Sequence, residues 1–346
     1  MIKTRNLVIL GIALVVLLAI NLMQKSGHNK ATSQASNEEL VASGMVPADL
    51  SRITIGFGPD LETVVLNNTP VGWSVDTAWQ GAADQSRIET LVRNLSGLMG
   101  EFRSDSADVL ADYGLTGDAV VTVRAFDPAG VEVAAIDLGR KSGQGQGNFT
   151  RQTNSNKVYL TQTNMMAQLG IYSDGNAPTS RYFLSLQAVR EDRLQVEEMT
   201  INGADGELNF VKVFATVEPD SIGEAPTVDR NTWEWQLNGS SAADLAKTKV
   251  DAVLNSLVAV RATDLVDPKA DLANYGLANA DQSASLTMED GRIITLQFGA
   301  SREAVEDVPA GTYMQIAGIE TVWVVTEYAF DNIFKPLAEL GPDTDS

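Results

Sequence analysis

Carboxylates are the one chemically versatile group this sequence holds in quantity: 45 Asp and Glu stand against 25 Lys and Arg, with no cysteine and a single histidine, His28. Two acids facing one cleft can hydrolyse a glycosidic bond, one as general acid and the other as base or nucleophile. Several set close together can hold calcium. Asp105, Asp108 and Asp112 form one grouping and Asp264, Asp267 and Asp271 another, yet neither has the spacing of an EF-hand loop. The missing cysteines exclude disulfides, thiolate metal centres and thiol nucleophiles. One histidine, set just after an apolar N-terminal run, excludes a Ser-His-Asp triad and a multi-histidine metal centre within one chain. The expectation is a non-enzymatic chain with no cofactor and no metal.

Two other stretches invite a binding role. Ser142 to Gly147, preceded by Arg140 and Lys141, is glycine-rich enough to suggest a phosphate cradle. A nucleotide loop leads from a strand into a helix, however, and here a strand-like run, Asn148 to Arg151, comes next, so a hairpin loop is expected. Trp73, Trp235 and Trp323 lie within strand patterns and are expected in the core. Trp233 has no counterpart elsewhere and alternates with Trp235 on one face, which makes it the candidate partner surface. A net charge of −20 repels phosphate backbones, so no nucleic-acid partner is expected.

The elements that must position these residues occur twice. Leu110-Ala111-Asp112-Tyr113-Gly114-Leu115 returns as Leu272-Ala273-Asn274-Tyr275-Gly276-Leu277. Each copy follows a helical apolar pattern and precedes alternating, strand-like runs, so a whole folding unit recurs. In the first copy Ile88, Leu91, Val92, Leu95, Leu98 and Met99 share a helical face, with Asp84 as its cap and Gly100 as its stop. In the second, the helix is expected from about Ser241, with Asp244 completing a capping box, through Val250, Val253, Leu254 and Leu257. Within the hexapeptide, Leu110, Tyr113 and Leu115, like Leu272, Tyr275 and Leu277, are expected to pack a short turn onto the sheet. Gly114 and Gly276 end it at positive φ, and Asp112 and Asn274 satisfy nearby backbone donors. An insertion at Pro219 to Asp229 marks the second copy as an acidic loop.

Ahead of the repeats, Leu7 to Met23 holds only Asn21 as a polar residue and follows Lys3 and Arg5. The run is long enough to span a bilayer and lacks small residues spaced for cleavage, so an uncleaved anchor is expected, the alternative being a signal peptide cleaved further on, near Ala31 or Ala35. The expected organisation is an anchor over 1–25, a flexible tether over 26–47, a first α+β repeat over 48–188 and a second over 189–346. Each repeat is expected to be a mainly antiparallel sheet with one main helix and a short closing helix.

The anchor, the Arg52-Ile53-Thr54-Ile55 opening, a lone tryptophan strand, a helix, the hexapeptide and a strand ending Asp137-Leu138-Gly139 together resemble domain-of-unknown-function family 4340. The resemblance covers Leu50 to about Leu340 in two copies. It implies an envelope protein found beside exporter-type ABC transporters and auxiliary components related to gliding motility, with transporter membrane or auxiliary subunits as partners. The body would stand in the periplasm, tethered to the bacterial inner membrane by a single pass. The family supplies no catalytic residues to carry over, and Asn274 in place of the acid at Asp112 argues against chemistry shared by both copies. Two other readings stay open: a module binding extracytoplasmic polysaccharide or peptide, and a carboxylate-dependent hydrolase needing two buried acids in one pocket.

Overall fold

The computed structural model describes residues 37–143, 147–217, 226–241, 244–305 and 308–342. The apolar run Leu7 to Met23, His28, the first part of the tether, the centre of the glycine-rich loop and residues 218–225 of the insertion lie outside them. Among the described residues no helix is long and apolar enough to cross a membrane.

Two mainly antiparallel sheets carry the fold, with few helices. The first copy runs β1 (Asn37–Glu39), β2 (Arg52–Phe57), β3 (Asp60–Thr69), β4 (Gly72–Val75), β5 (Gly81–Ala82), α1 (Gln85–Leu95) and β6 (Met99–Ser104). It continues through β7 (Val121–Phe126), β8 (Glu132–Lys141), β9 (Asn148–Gln152), β10 (Val158–Thr161), α2 (Met165–Gln168) and α3 (Ser180–Phe183). The second copy begins with β11 (Val196–Gly203), β12 (Gly206–Val217), β13 (Thr227–Leu237), β14 (Ser240–Ser241), α4 (Lys247–Val258) and β15 (Asp264–Val266). It ends with β16 (Gln282–Met288), β17 (Ile293–Arg302), β18 (Gly311–Ile316), β19 (Val322–Val325) and α5 (Glu327–Ile333).

The described residues form two compact units, one holding those from Asn37 to Glu62 with those of 89–178 and the other those of 63–88 with those from Thr179 onward. In the first, neighbouring strands run β1-β6-β10-β9-β8-β7-β2. In the second, β3-β4-β5 form one run and β14-β13-β12-β11-β16-β17-β18-β19-β15 a nine-stranded sheet. Copy against copy, β6-β10-β9-β8-β7-β2 answers β15-β19-β18-β17-β16-β11, and β3-β4-β5 answers β12-β13-β14. The repeat seen in the sequence is therefore a repeat of topology.

A division into 48–188 and 189–346 marks the copies but not the compact units, because the first copy's β3-β5 hairpin is fastened within the second unit. Gly81 is pressed so close to its neighbours that a Cβ there would come within 2.5 Å of Leu265 Cδ1 and 2.8 Å of Leu184 Cδ2. Ala83 bridges Leu184, and the Arg87 guanidinium donates to the Tyr182 carbonyl while lying 4.2 Å over that tyrosine's ring.

Three sequence expectations need correction. The tether does not extend to residue 47: Asn37, Glu38 and Glu39 pair with Glu101, Gly100 and Met99 as an edge strand, and Leu40 and Val41 are buried. Two adjacent apolar side chains in a polar stretch were the signal, since burying each stabilises by about 2 kcal/mol. The α1 helix stops at Leu95 rather than Gly100, with Gly97 at φ 66° in the left-handed region and Met99 onward extended. Gly100 serves the sheet instead, because a Cβ there would sit 2.6 Å from the Cβ of Tyr159 on β10. The Ser241 capping box does not form, since Ser241 pairs with Gln236 and α4 starts at Lys247 without a side-chain cap.

The helical faces pack as their spacing requires. Ile88, Leu91, Val92 and Leu95 on α1 are fully buried, as are Val250, Leu254 and Leu257 on α4. Asp84 caps α1, accepting from the backbone N–H groups of Ser86 at 3.0 Å and Arg87 at 3.4 Å. Burial pushes its carboxyl up, but the Ser86 hydroxyl, these two amides and the Arg87 charge outweigh that and hold it below the usual carboxylate range.

Candidate functional site

Both copies of the hexapeptide fold as a tight 3-10 turn ended by a left-handed glycine. Ala111–Tyr113 is closed by Gly114 at φ 71°, and Leu272–Tyr275 by Gly276 at φ 69°. The N–H of Leu115 donates to the Leu110 carbonyl at 2.9 Å, and that of Leu277 to the Leu272 carbonyl at the same 2.9 Å. Each turn lies against the second strand of the hairpin that follows. Gly139 and Gly299 make room there, since a Cβ on either would come 2.1 Å from the carbonyl oxygen of Tyr113 or Tyr275. Tyr113 packs on Phe149 at 4.5 Å between ring centroids, and Tyr275 on Tyr313 at 4.8 Å. Leu110, Leu115 and Leu277 are buried and Leu272 is half-buried, whereas Asp112 and Asn274 face solvent. Asp271, not Asn274, serves a backbone donor, accepting from the Ala273 N–H at 3.0 Å. The motif's apolar and glycine residues are thus committed to packing.

The acids gathered near the second motif are likewise engaged. Asp264 binds Arg302 at 3.1 Å, and Asp267 accepts from the Lys269 N–H at 2.9 Å. Among the described residues there is no group of three or more His, Cys, Asp or Glu placed to hold a metal ion.

Trp233 is not a partner surface: it is 2% exposed. Alternation does place it beside Trp235, but that face of β13 is the covered one. The Lys247 ammonium lies 4.0 Å over the Trp233 ring and the Lys212 ammonium 4.2 Å from its centroid. Cations over an indole face gain from its negative quadrupole, which accounts for two lysines gathered on one ring. Lys247 also binds Asp251 at 2.9 Å, and Asp251 accepts from the Trp235 indole N–H at 2.8 Å. Lys212 is buried on β12 and donates to the Arg193 carbonyl. Burial, with the charges of Arg193, Lys247 and Arg230 and against that of Asp251, pushes its ammonium down to about 8. The sequence signal for Lys212 was a charge at the inward position of an alternating strand, between Phe210 and Phe214.

The larger cavity belongs to the first unit and has a volume of about 570 Å³. The end of α1 contributes Arg93, Asn94 and Ser96, the β1 edge strand contributes Asn37, and β6 contributes Glu101. Gln162 and Thr163, just past β10, close the polar side, while Leu98, Met99 and Leu160 give it an apolar portion. Its one carboxylate, Glu101, is bound to Arg103 at 2.8 Å. The side-chain amides of Asn37, Asn94 and Gln162 form no hydrogen bond with other described residues. These residues come from three separate segments, none with a motif that would mark them in the sequence. A second cavity of about 360 Å³ is lined by Leu40–Ala42, Glu132–Ala135 and Gln152–Ser155.

Compared with known families, the chain matches the model described as Domain of unknown function (DUF4340) over residues 73–202 and 235–340. No curated protein matches it, and no solved structure does.

Proposed function

We propose, since the chain belongs to the DUF4340 family, that it is a non-catalytic accessory protein of an ABC-type transport system, held to the bacterial inner membrane by Leu7 to Met23 with its body in the periplasm. The observation that carries this reading is the fate of the repeated hexapeptide. In both copies its leucines, tyrosine and glycine close a turn against Gly139 or Gly299, so the duplicated motif is committed to packing, which supports a bracing role. A framework duplicated and tethered suits a part that braces or positions other subunits. The hydrolase alternative asks for two carboxylates facing one pocket, whereas the larger cavity offers Glu101 alone, already paired with Arg103.

The test is affinity purification of the tagged full chain from membranes dissolved in mild detergent. Membrane or auxiliary subunits of an ABC transporter should be recovered in near-stoichiometric amounts. Recovery of none of them overturns the reading.

A further inference from the structure

We propose that the cavity of the first unit is a binding site for a neutral oligosaccharide. At about 570 Å³ it falls within the roughly 300–1,000 Å³ of pockets that hold small ligands. Its chemistry narrows the class. A side-chain amide both donates and accepts, as a sugar hydroxyl does, and three such amides (Asn37, Asn94 and Gln162) meet here with no partner among the described residues. An apolar ligand would leave these polar groups without water or a partner, so an apolar occupant is disfavoured. An anion is disfavoured too: the one guanidinium, Arg93, shares the cavity with the Glu101 carboxylate, and phosphate recognition calls for several cations or a helix N-terminus. Leu98, Met99 and Leu160 supply an apolar surface for the C–H face of a sugar ring.

The site also has a built-in reporter. Asn37 opens β1, whose short pairing with β6 is reinforced where the Tyr159 hydroxyl donates to Glu38 at 2.7 Å. A ligand held by Asn37 on one side and by Asn94 and Gln162 on the other fixes that edge strand to the end of α1 and to β10. Binding therefore slows hydrogen exchange at Asn37–Glu39 and at Leu160–Gln162.

The experiment uses the full chain in a detergent that carries no sugar, titrated by calorimetry with maltotriose, the N-acetylglucosamine trimer, trialanine and inorganic phosphate. At least one trisaccharide should bind saturably, and the Asn94→Ala/Gln162→Ala double variant should weaken it by about tenfold or more, the loss of two hydrogen bonds. Both positions are partly or fully exposed, so the fold should survive. Should circular dichroism show otherwise, Asn37→Ala and the exchange footprint on the unmodified chain carry the test alone. The proposal is overturned if neither trisaccharide binds, if trialanine or phosphate binds instead, or if binding is unmoved by the substitutions and leaves β1 exchange unchanged. It does not rest on the transporter reading: co-purification and sugar binding can each fail without the other.

Discussion

The two copies of the hairpin that follows the hexapeptide share a backbone and differ in what fills it. Gly139 and Gly299 hold equivalent places and meet the preceding tyrosine carbonyl at the same forbidden distance, 2.1 Å from an added Cβ. Two residues earlier the copies part. Asp137, 3% exposed, faces Arg151 across the strands and binds it at 2.8 Å, with Thr122 and Thr153 also donating to its carboxylate. In the second copy the same cross-strand pair is Gln297 and Gln315, both half-buried. The β3-β4 and β12-β13 hairpins differ in length, the first turning at Pro70-Val71 and the second running on through the paired Phe214 and Trp233. Close backbone approach allows only glycine and is the same in both copies. Polar and aromatic filling has several solutions that satisfy the same strands, and the copies have taken different ones.

The largest effects come from breaking what differs. Asp137→Asn leaves the Arg151 charge with a neutral partner in a buried network, and the loss should be about 3 kcal/mol in denaturant unfolding. Gln297→Asn, at the matching position, should lose under about 1 kcal/mol, as for a partly exposed substitution. Installing the second copy's solution, Asp137→Gln with Arg151→Gln, should restore most of the loss, because no charge is then left unpaired. A double variant as unstable as Asp137→Asn would show that the filling is not interchangeable.

Next in size is what the copies share. Gly139→Ala and Gly299→Ala each force a methyl against a backbone carbonyl that cannot rotate away, at roughly 2 kcal/mol or more. The two losses should agree within about 0.5 kcal/mol in parallel unfolding titrations, the scatter expected of independent sites. A large inequality would break the equivalence of the copies.

The aromatic cluster of the second copy makes a pH-dependent test. Lys212 releases its proton at about 8 in the folded chain, against about 10.4 when unfolded. Between those values the unfolded chain holds more protons, so folding stability contributed by this group rises with pH and is lowest below 8. Lys212→Met removes the buried charge while keeping the stem that packs between Trp233 and Phe214. It should stabilise by roughly 2 kcal/mol at pH 7, and the gain should vanish above about pH 10 in melting curves compared pairwise. An equal gain at both pH values would mean that the lysine is not desolvated.

The repeated topology was legible in the sequence because strand alternation and the hexapeptide survive in both copies, and each glycine of the motif had one conformational use. What escaped depended on partners far away in the chain. Gly100 looked like a helix stop, since nothing local reveals that Tyr159 will lie against it. The alternation of Trp233 and Trp235 puts both on one face, but whether that face is covered or open depends on Lys247 from a later helix. The cavity was illegible for the same reason, its amides coming from an edge strand, a helix end and a strand end with no shared periodicity.

The smallest difference between the copies lies at the entrance to the hexapeptide. In the second, Asp271 precedes the turn and its carboxylate accepts from the Ala273 N–H at 3.0 Å. In the first, the matching residue is the half-buried Val109, which ends a preceding 3-10 turn (Ala107–Val109), so the chain arrives already coiled and Leu110 begins the motif in helical conformation. A chain entering from extended backbone leaves the first N–H groups of the turn without carbonyl partners, and a side-chain oxygen supplies one. Asp271→Ala should therefore destabilise by about 1 kcal/mol, whereas Asp271→Asn, which keeps an accepting oxygen, should lose only a few tenths. If alanine and asparagine prove equal, the carboxylate is not a cap, and the second turn must be held by its glycine and leucines alone.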